Sequence, residues 1–405
     1  MKVILHIDFN SYFATVEQQA NPRLRGKPIG VTGGDRMIRT VLGAASVEAK
    51  KFGVKTGMPL WQAKKLCPQI IIVAGDSDKY LETTKRFLNI LKDYSPYLEV
   101  FSIDEAFLEL PGAVRGGGER VAKQIKSRIH TEIGEWITCS IGISYNKLVA
   151  KLAGSLQKPD GLVVIGSEKE AVKVLDNIPL DEICGIGPRI KYRLNKMGIF
   201  NFKQLRAVPL NTLLFEFKSY GQFLYDASRG ISNTPITPFY EKEEVKSIGH
   251  RHTIDTDSDD PAEIKQILLK LTELVARRLR SKRLVGRTVS LWFRSADFKG
   301  DGMQTTIPYT ADGLEIFKAA WREFNKLWCK QKIRMVGISV SNLKPKDPEN
   351  LTFLEEDLRQ QKIIQTLDEI NNKYGEFTLQ RGTLLQSTRM SRKPNPFLAD
   401  RRFKI

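Results

Sequence analysis

The stretch YLEVFSIDEAFLEL, residues 97–110, sets two adjacent carboxylates, Asp104 and Glu105, between apolar runs that read as strands. Successive side chains on a strand point to opposite faces, so neighbouring carboxylates diverge unless a turn lets them converge. A hairpin with strands over residues 98–103 and 106–110 puts the pair at its tip, where both can face one point. On this stretch alone a solvated polar turn explains the pair equally well. A third carboxylate alters that balance. The run VILHID is β-branched and almost continuously apolar, hence a buried strand, and it ends at Asp8. Three converging carboxylates repel one another unless cations compensate, and an all-oxygen set with no His or Cys nearby suits Mg²⁺ rather than zinc. Two such ions, about 4 Å apart, activate an attacking hydroxyl and stabilise the leaving oxygen of an in-line phosphoryl displacement. His6 reads as a buried strand residue, and the HRH at 250–252 lacks a third ligand, so neither competes for a metal.

The elements needed to bring Asp8 to the other two carboxylates are legible on either side of them. After the first strand, NSYFATVEQ reads as a helix with Asn10 or Ser11 as N-cap. KYLETTKRFLNILKDY places Leu81, Thr84, Phe87, Leu88 and Leu91 at helical spacing and stops before Ser95-Pro96. ERVAKQIKSRIHTEI repeats an apolar residue every fourth position, and ITCSIGIS is the next strand. Strand, helices, hairpin, helix, strand is the split βαβ order of a ferredoxin-like sheet, here with an insertion of roughly 60 residues after its first helix. In that order the first and third strands are neighbours, which carries Asp8 towards Asp104 and Glu105.

Composition sets the wider frame. A chain of 405 residues with 41% hydrophobic residues holds several cores, which excludes a disordered protein. Its 64 Lys and Arg against 46 Asp and Glu give a formal charge of +18, which favours a polyanionic partner such as nucleic acid. The cysteines, Cys67, Cys139, Cys184 and Cys329, are far apart and form no CxxC pair, so a reducing cytoplasm without disulfides is expected. The apolar run before Asp8 is too short for a signal segment or a membrane span, so the reading is a soluble, unexported protein.

Downstream, LDEICGIGPRIKYRLNKMGI has a Gly-x-Gly turn at Gly185 and Gly187 between helical patterns, as in a helix-hairpin-helix. Glycines let backbone amides approach a phosphate at a helix start, and Arg189 and Lys191 add charge; a simple tight loop remains the alternative. Such a contact is independent of sequence. Residues 233–245 carry two prolines and a charge run, and read as a linker. Beyond it, AEIKQILLKLTELVARRLRSKR is an amphipathic helix ending in a basic cluster with Arg277, Arg278 and Arg280, a candidate phosphate track. RTVSLWFRSADF and IRMVGISVSNL read as strands and LEIFKAAWREFNKLW as a second helix, giving two βαβ-like units. IIQTLDEINNKYG is a further helix before a Pro-containing basic tail.

Taken together, DFNSYFATVEQ, NPRLRGKPIGV, EAKKFGVKTGMPLWQAKKLCP, FSIDEAFLEL, CSIGISYNKLVAKLAGSLQKPDG and ICGIGPRIKYRLNKMGI resemble a Y-family DNA polymerase of the DNA polymerase IV branch, in order over residues 1 to about 345. The resemblance implies an α+β multidomain enzyme that performs translesion DNA synthesis. Its implied parts are a ferredoxin-like palm (1–10 and 76–165), fingers (11–75), a helix-hairpin-helix thumb (166–232), an α/β little finger (246–345) and a C-terminal helix and tail (346–405). By motif position it implies Asp8, Asp104 and Glu105 as catalytic metal ligands for two Mg²⁺, with the backbone carbonyl of Phe9 as a further ligand. Tyr12, Phe13, Lys50 and Lys158 correspond to nucleotide-binding positions, Phe13 being the aromatic gate against a ribose hydroxyl. The chain departs from the family at Val47, usually Tyr, and at Lys50, usually Arg. Val47 offers no donor and Lys50 one mobile point charge in place of a planar fork, so weak triphosphate binding is expected unless a neighbour such as Arg39 substitutes. Implied partners are primer–template DNA and deoxynucleoside triphosphates, for a monomer with no membrane attachment. A sliding clamp is a candidate; the tail shows no Gln-initiated clamp peptide, and Phe397-Leu398 is a candidate anchor. Two other classes fit parts of the pattern. A nucleotidyl cyclase shares the sheet and acidic ligands, but the Gly-x-Gly hairpin and basic C-terminal part argue against it. A noncatalytic DNA-binding scaffold leaves the acidic triad without a purpose.

Overall fold

The computed structural model describes residues 2–33, 39–111, 117–241, 244–346, 355–375 and 377–384, so the Phe397-Leu398 anchor lies outside the described residues. The chain divides after residue 242 into two compact units.

The first unit opens with β1 (Val3–Phe9) and α1 (Tyr12–Ala20). A small sheet follows from β2 (Ile29–Thr32), β3 (Leu42–Ala45) and β4 (Ile71–Ala74), with α2 (Val47–Lys51) and α3 (Leu60–Leu66) between the last two. Next come α4 (Ser77–Lys92), β5 (Leu98–Val100), β6 (Glu105–Leu110), α5 (Gly117–Arg128), β7 (Cys139–Ser144), α6 (Lys147–Leu156) and β8 (Leu162–Ile165). The main sheet runs β5-β6-β1-β7-β8, with β1 antiparallel to both its neighbours. The ferredoxin-like order expected from the sequence is therefore present. To it is added a fifth strand, β8, parallel to β7 and reached through α6. It has only four residues, of which Ile165 is buried and Val164 exposed, too short a run to set it apart in the sequence.

As the central strand, β1 is buried from Ile4 to Phe9, and its period of two divides it between the faces. Phe9 meets Phe87 of α4 at a ring distance of 4.4 Å, whereas Ile4, two residues ahead of His6 and four ahead of Asp8, packs with Ala150 of α6. Helix α6 lies close against the sheet: a Cβ on Gly142 of β7 would fall 2.1 Å from the Ala150 carbonyl oxygen, and one on Gly154 would fall 2.9 Å from His6 Nδ1. Side chains at these two points would lift the helix from the face that carries Asp8.

Helices α7 (Glu168–Leu175), α8 (Pro188–Lys196), α9 (Phe202–Ala207), α10 (Leu210–Phe217) and α11 (Tyr220–Ala227) gather around a separate core that includes Leu180, Leu194, Phe202 and Leu213. The second unit contains β9 (Ser247–Ser258), α12 (Pro261–Ser281), β10 (Leu284–Ser295), β11 (Gly300–Thr310), α13 (Gly313–Leu327), β12 (Ile333–Pro345) and α14 (Glu355–Tyr374). Its sheet runs β11-β10-β12-β9 with every pair antiparallel. Val289, Leu291 and Phe293 of β10 and Val336, Ile338 and Val340 of β12 share one core with α12 and α13. By alternation the intervening residues of each strand form the opposite face.

Candidate active site and nucleic-acid surfaces

Asp8 and Glu105 are direct cross-strand partners in the β1–β6 ladder, so both side chains leave the same face of the sheet. Asp104 ends the turn that leads into β6, and its carbonyl accepts from the Phe9 N–H at 3.0 Å. The two adjacent carboxylates do not share the hairpin tip as the sequence suggested. The Phe101 and Ser102 amides both donate to the Glu105 carbonyl at 3.1 Å, which makes Glu105 the first residue of the strand and leaves Asp104 in the turn, its Oδ1 accepting from Ser102 Oγ at 2.7 Å.

A histidine stands beside this group, contrary to the all-oxygen reading. His6 is two residues before Asp8 and therefore on the same face; ligand atoms of His6, Asp8 and Glu105 lie within 4.8 Å of one another. His6 is fully enclosed, and its Nε2 lies 3.3 Å from Glu105 Oε2. A ring N–H donated to that carboxylate occupies Nε2, and Nδ1 faces Gly154, so His6 orients Glu105 rather than offering a free ligand. The Lys151 ammonium, on α6, donates to the same Glu105 oxygen. Burial pushes the Glu105 carboxyl up, but His6 and Lys151 outweigh it and hold the group down at about 2. Asp8 and Asp104 are shifted upward, first by burial and further by the charge of Glu105, while Lys158 opposes both shifts. Desolvated carboxylates whose repulsion is only partly compensated are the donor chemistry that favours a hard divalent cation.

Lys158 reaches Asp8 Oδ1 at 2.8 Å. Its loop is tied down from below: the Asp160 amide donates to Asn10 Oδ1 at 3.1 Å and the Gly161 amide to Ser140 Oγ at 3.3 Å, and Ser140 Oγ itself donates to Asn10 Oδ1 at 2.9 Å. Lys50, on α2, is held below the ordinary lysine range by burial and by the charge of Lys158, with Asp8 opposing. Lys158 is paired with Asp8 and Lys50 adds positive charge nearby, an arrangement suited to an anionic ligand. Val47 begins α2 and offers no donor.

Phe13 is half-buried and stacks on Tyr80 with ring centroids 4.5 Å apart. Tyr12 is enclosed, and its hydroxyl is committed to the Tyr80 carbonyl and to Thr84 Oγ1, each at 2.7 Å. His6, Asn10, Ser140 and Lys151 are the site residues that sequence reading missed. The two-residue spacing of His6 and Asp8 on a strand was the available signal.

In the helical part, Gly185 has φ +109°, and a Cβ there would fall 2.6 Å from the Phe223 ring, so glycine is required. Tyr220 donates its hydroxyl to the Gly185 carbonyl at 2.6 Å. Gly187 is the N-cap of α8 with ordinary φ and open space beside it, which leaves the helix start approachable. Arg189 is exposed, whereas Lys191 pairs with Asp181 at 2.7 Å.

The three arginines of α12 are engaged within their own unit. Arg280 holds Asp368 of α14 through two bonds of 2.6 and 2.7 Å and the Ala311 carbonyl at 2.7 Å; Arg277 donates to Asn372 at 2.7 Å, and Arg278 to the Gly249 carbonyl at 2.5 Å. Their spacing marked a basic cluster, but the acidic helix that occupies it lies about 90 residues downstream. The face of the sheet away from α12 and α13 carries different cations: Arg251 and Arg294 lie 4.8 and 5.1 Å from the Trp292 ring. Trp292, Gly337 and Arg251 are register partners across β10, β12 and β9.

Among the described residues no helix is long and apolar enough to cross a membrane. Residues 7–155 match the model of the impB/mucB/samB family, and residues 245–353 match the model of its C-terminal domain. The chain is 38% identical to a DNA polymerase IV of Moorella thermoacetica over 94% of its own length and 96% of the relative's. It is 37% identical to that of Pelotomaculum thermopropionicum (94% and 95%) and 31% identical to DNA polymerase IV 1 of Bacillus subtilis (98% and 97%). A solved Y-family DNA polymerase chimera superposes with a TM-score of 0.73 at 26% identity, covering 85% of this chain and 99% of the other. With carboxylates gathered at the end of the central strand and likeness extending along nearly the whole chain, the protein belongs to the impB/mucB/samB family of Y-family DNA polymerases.

Proposed function

We propose that this chain adds deoxynucleotides to a primer 3′-hydroxyl by template-directed phosphoryl transfer with release of pyrophosphate, at low fidelity and across damaged bases. The observation that supports the reading is the facing pair Asp8 and Glu105 at one end of the main sheet, with Asp104 in the adjoining turn and Lys158 paired to Asp8. Enzymes of this family depend on divalent metal. Here Asp8, Asp104, Glu105 and the Phe9 carbonyl would hold two Mg²⁺ ions, which when bound lower the pKa of an attacking hydroxyl and neutralise charge on the transferred phosphorus. His6 and Lys151 keep Glu105 ionised and oriented. Lys158 and Lys50 bind triphosphate oxygens, and Asn10 with Ser140 fixes the loop from which Lys158 reaches. Without a hydroxyl at Val47 or an Arg fork at position 50, that grip is weak. Phe13, backed by Tyr80, packs against the sugar, and Tyr12 supports the pocket as a buried brace.

In this reading the five-stranded sheet is the palm, the three-stranded sheet the fingers, α7–α11 the thumb and the second unit the little finger. Gly185, Gly187, Arg189 and Lys191 meet backbone phosphates. In the little finger, the Arg251–Trp292–Arg294 face carries the DNA track, because Arg277, Arg278 and Arg280 spend their donors on α14 and neighbouring backbone. A sliding clamp remains a candidate partner for the C-terminal tail. The test is primer extension by the full chain on undamaged templates and on templates carrying an abasic site or a bulky adduct. Stepwise extension on all of them is expected; no extension on any would overturn the reading, and stalling at every lesion would remove damage tolerance from it.

A further inference from the structure

Residues 49–75 hold five lysines and no Asp or Glu, and they surround large apolar side chains that the fold leaves in solvent. Trp61 is 71% exposed, Val41 50% and Phe52 47%. Leu60 and Ala63 supply the buried side of α3, with Cys67 buried just after it, so Trp61, Lys64, Lys65 and Leu66 form its outer side. This outer side joins the strand that runs to the nucleotide pocket. Val41 bridges Pro59, the Leu60 amide donates to the Thr40 carbonyl at 3.2 Å, and the Leu42 amide to the Met58 carbonyl at 3.0 Å. Along β3 the exposed positions alternate with buried ones from Val41 to Gly43, and a Cβ at Gly43 would touch the Phe13 ring at 3.7 Å.

An exposed indole among lysines, with no acidic residue within the segment, matches the needs of single-stranded nucleic acid: a π-face for an unstacked base and cations for its backbone. We propose that Trp61 with Lys64 and Lys65 is a stacking platform for the single-stranded template that has not yet been copied. The charge complementarity selects this polyanion over an apolar protein partner, and the Val41–Pro59 bridge ties the start of α3 to the strand whose Gly43 packs beside Phe13. The inference rests on the nucleotide site lying at Phe13; single-nucleotide addition on a template with a one-nucleotide overhang reports that reading separately.

The experiment compares affinities of the full chain for primer–templates with one-nucleotide and eight-nucleotide 5′ overhangs by fluorescence anisotropy. Wild type is expected to bind the long overhang more tightly, with roughly tenfold of that gain due to one stacked base. Trp61→Ala should lose the gain, Trp61→Phe should keep most of it, and Lys64→Gln with Lys65→Gln should flatten its salt dependence; binding and single-nucleotide addition on the short overhang stay at wild-type values. A wild type indifferent to overhang length overturns the proposal, as does a Trp61→Ala protein that retains the gain or weakens equally on both substrates.

Discussion

Asp104→Asn and Glu105→Gln are each expected to lower single-turnover nucleotide addition on the order of a thousandfold or more, while primer–template affinity changes little. The loss follows from charge rather than shape. Asp104 and Glu105 sit at the end of the central ladder, partly desolvated, and an amide at either place can accept a hydrogen bond but cannot neutralise a divalent cation. At Glu105 the effect is compounded. His6 and Lys151 both address one of its oxygens, so glutamine leaves the Lys151 ammonium without its counter-charge in either orientation, and in one of them turns its NH₂ towards two donors. DNA affinity is spared because phosphate contacts are assigned to the helical hairpin and the second unit. Quench-flow addition with a parallel binding titration separates the two quantities, and near-normal addition by either variant would sink the assignment of the triad.

The second large effect concerns sugar choice. Phe13→Ala is expected to reduce discrimination against ribonucleotides by roughly ten- to a hundredfold, with little loss of kcat/KM for deoxynucleotides. The Phe13 ring is stacked on Tyr80, whose hydroxyl donates to the buried Glu17 at 2.7 Å while Lys79 holds the other oxygen of that carboxylate at 2.8 Å. A ring braced in this way cannot tilt to admit a 2′-hydroxyl, whereas alanine leaves the space open. Paired measurements of kcat/KM for each nucleotide and its ribo-counterpart decide the matter: a variant that still rejects ribonucleotides as wild type does would move the gate elsewhere.

Local pattern foretold much of this architecture. The apolar run ending at Asp8, the hairpin and the period-four helix of residues 119–133 fixed the ferredoxin-like order, since each is a strong periodic signal whose neighbours follow from topology. Strands β9 and β11 escaped, because SIGHRHTIDTDS and GDGMQTTIPYT are edge strands with one polar face and few apolar residues on the other. The candidate site divides in the same way. Its carboxylates are adjacent or strand-terminal and could be read directly. The restraints on them are long-range: Lys151 meets Glu105 only because Gly142 and Gly154 let α6 lie flush on the sheet, and Asn10 meets Ser140 across β1 and β7. The basic run at the end of α12 shows the converse. Sequence shows where charges cluster, while Asp368, which pairs with Arg280, and Asn372, which accepts from Arg277, arrive from far along the chain.

The most direct test of the central claim counts metal ions rather than products. Mn²⁺ binding to the full chain, with a dideoxy-terminated primer–template and the correct incoming nucleotide, can be followed by electron paramagnetic resonance in wild type and in Asp8→Asn. If Asp8, Asp104 and Glu105 jointly hold the ions that drive phosphoryl transfer, about two Mn²⁺ per chain bind to the wild-type complex and at least one is lost or greatly weakened in Asp8→Asn. The same stoichiometry and affinity in both proteins, or no specific Mn²⁺ in the wild type, would contradict the account.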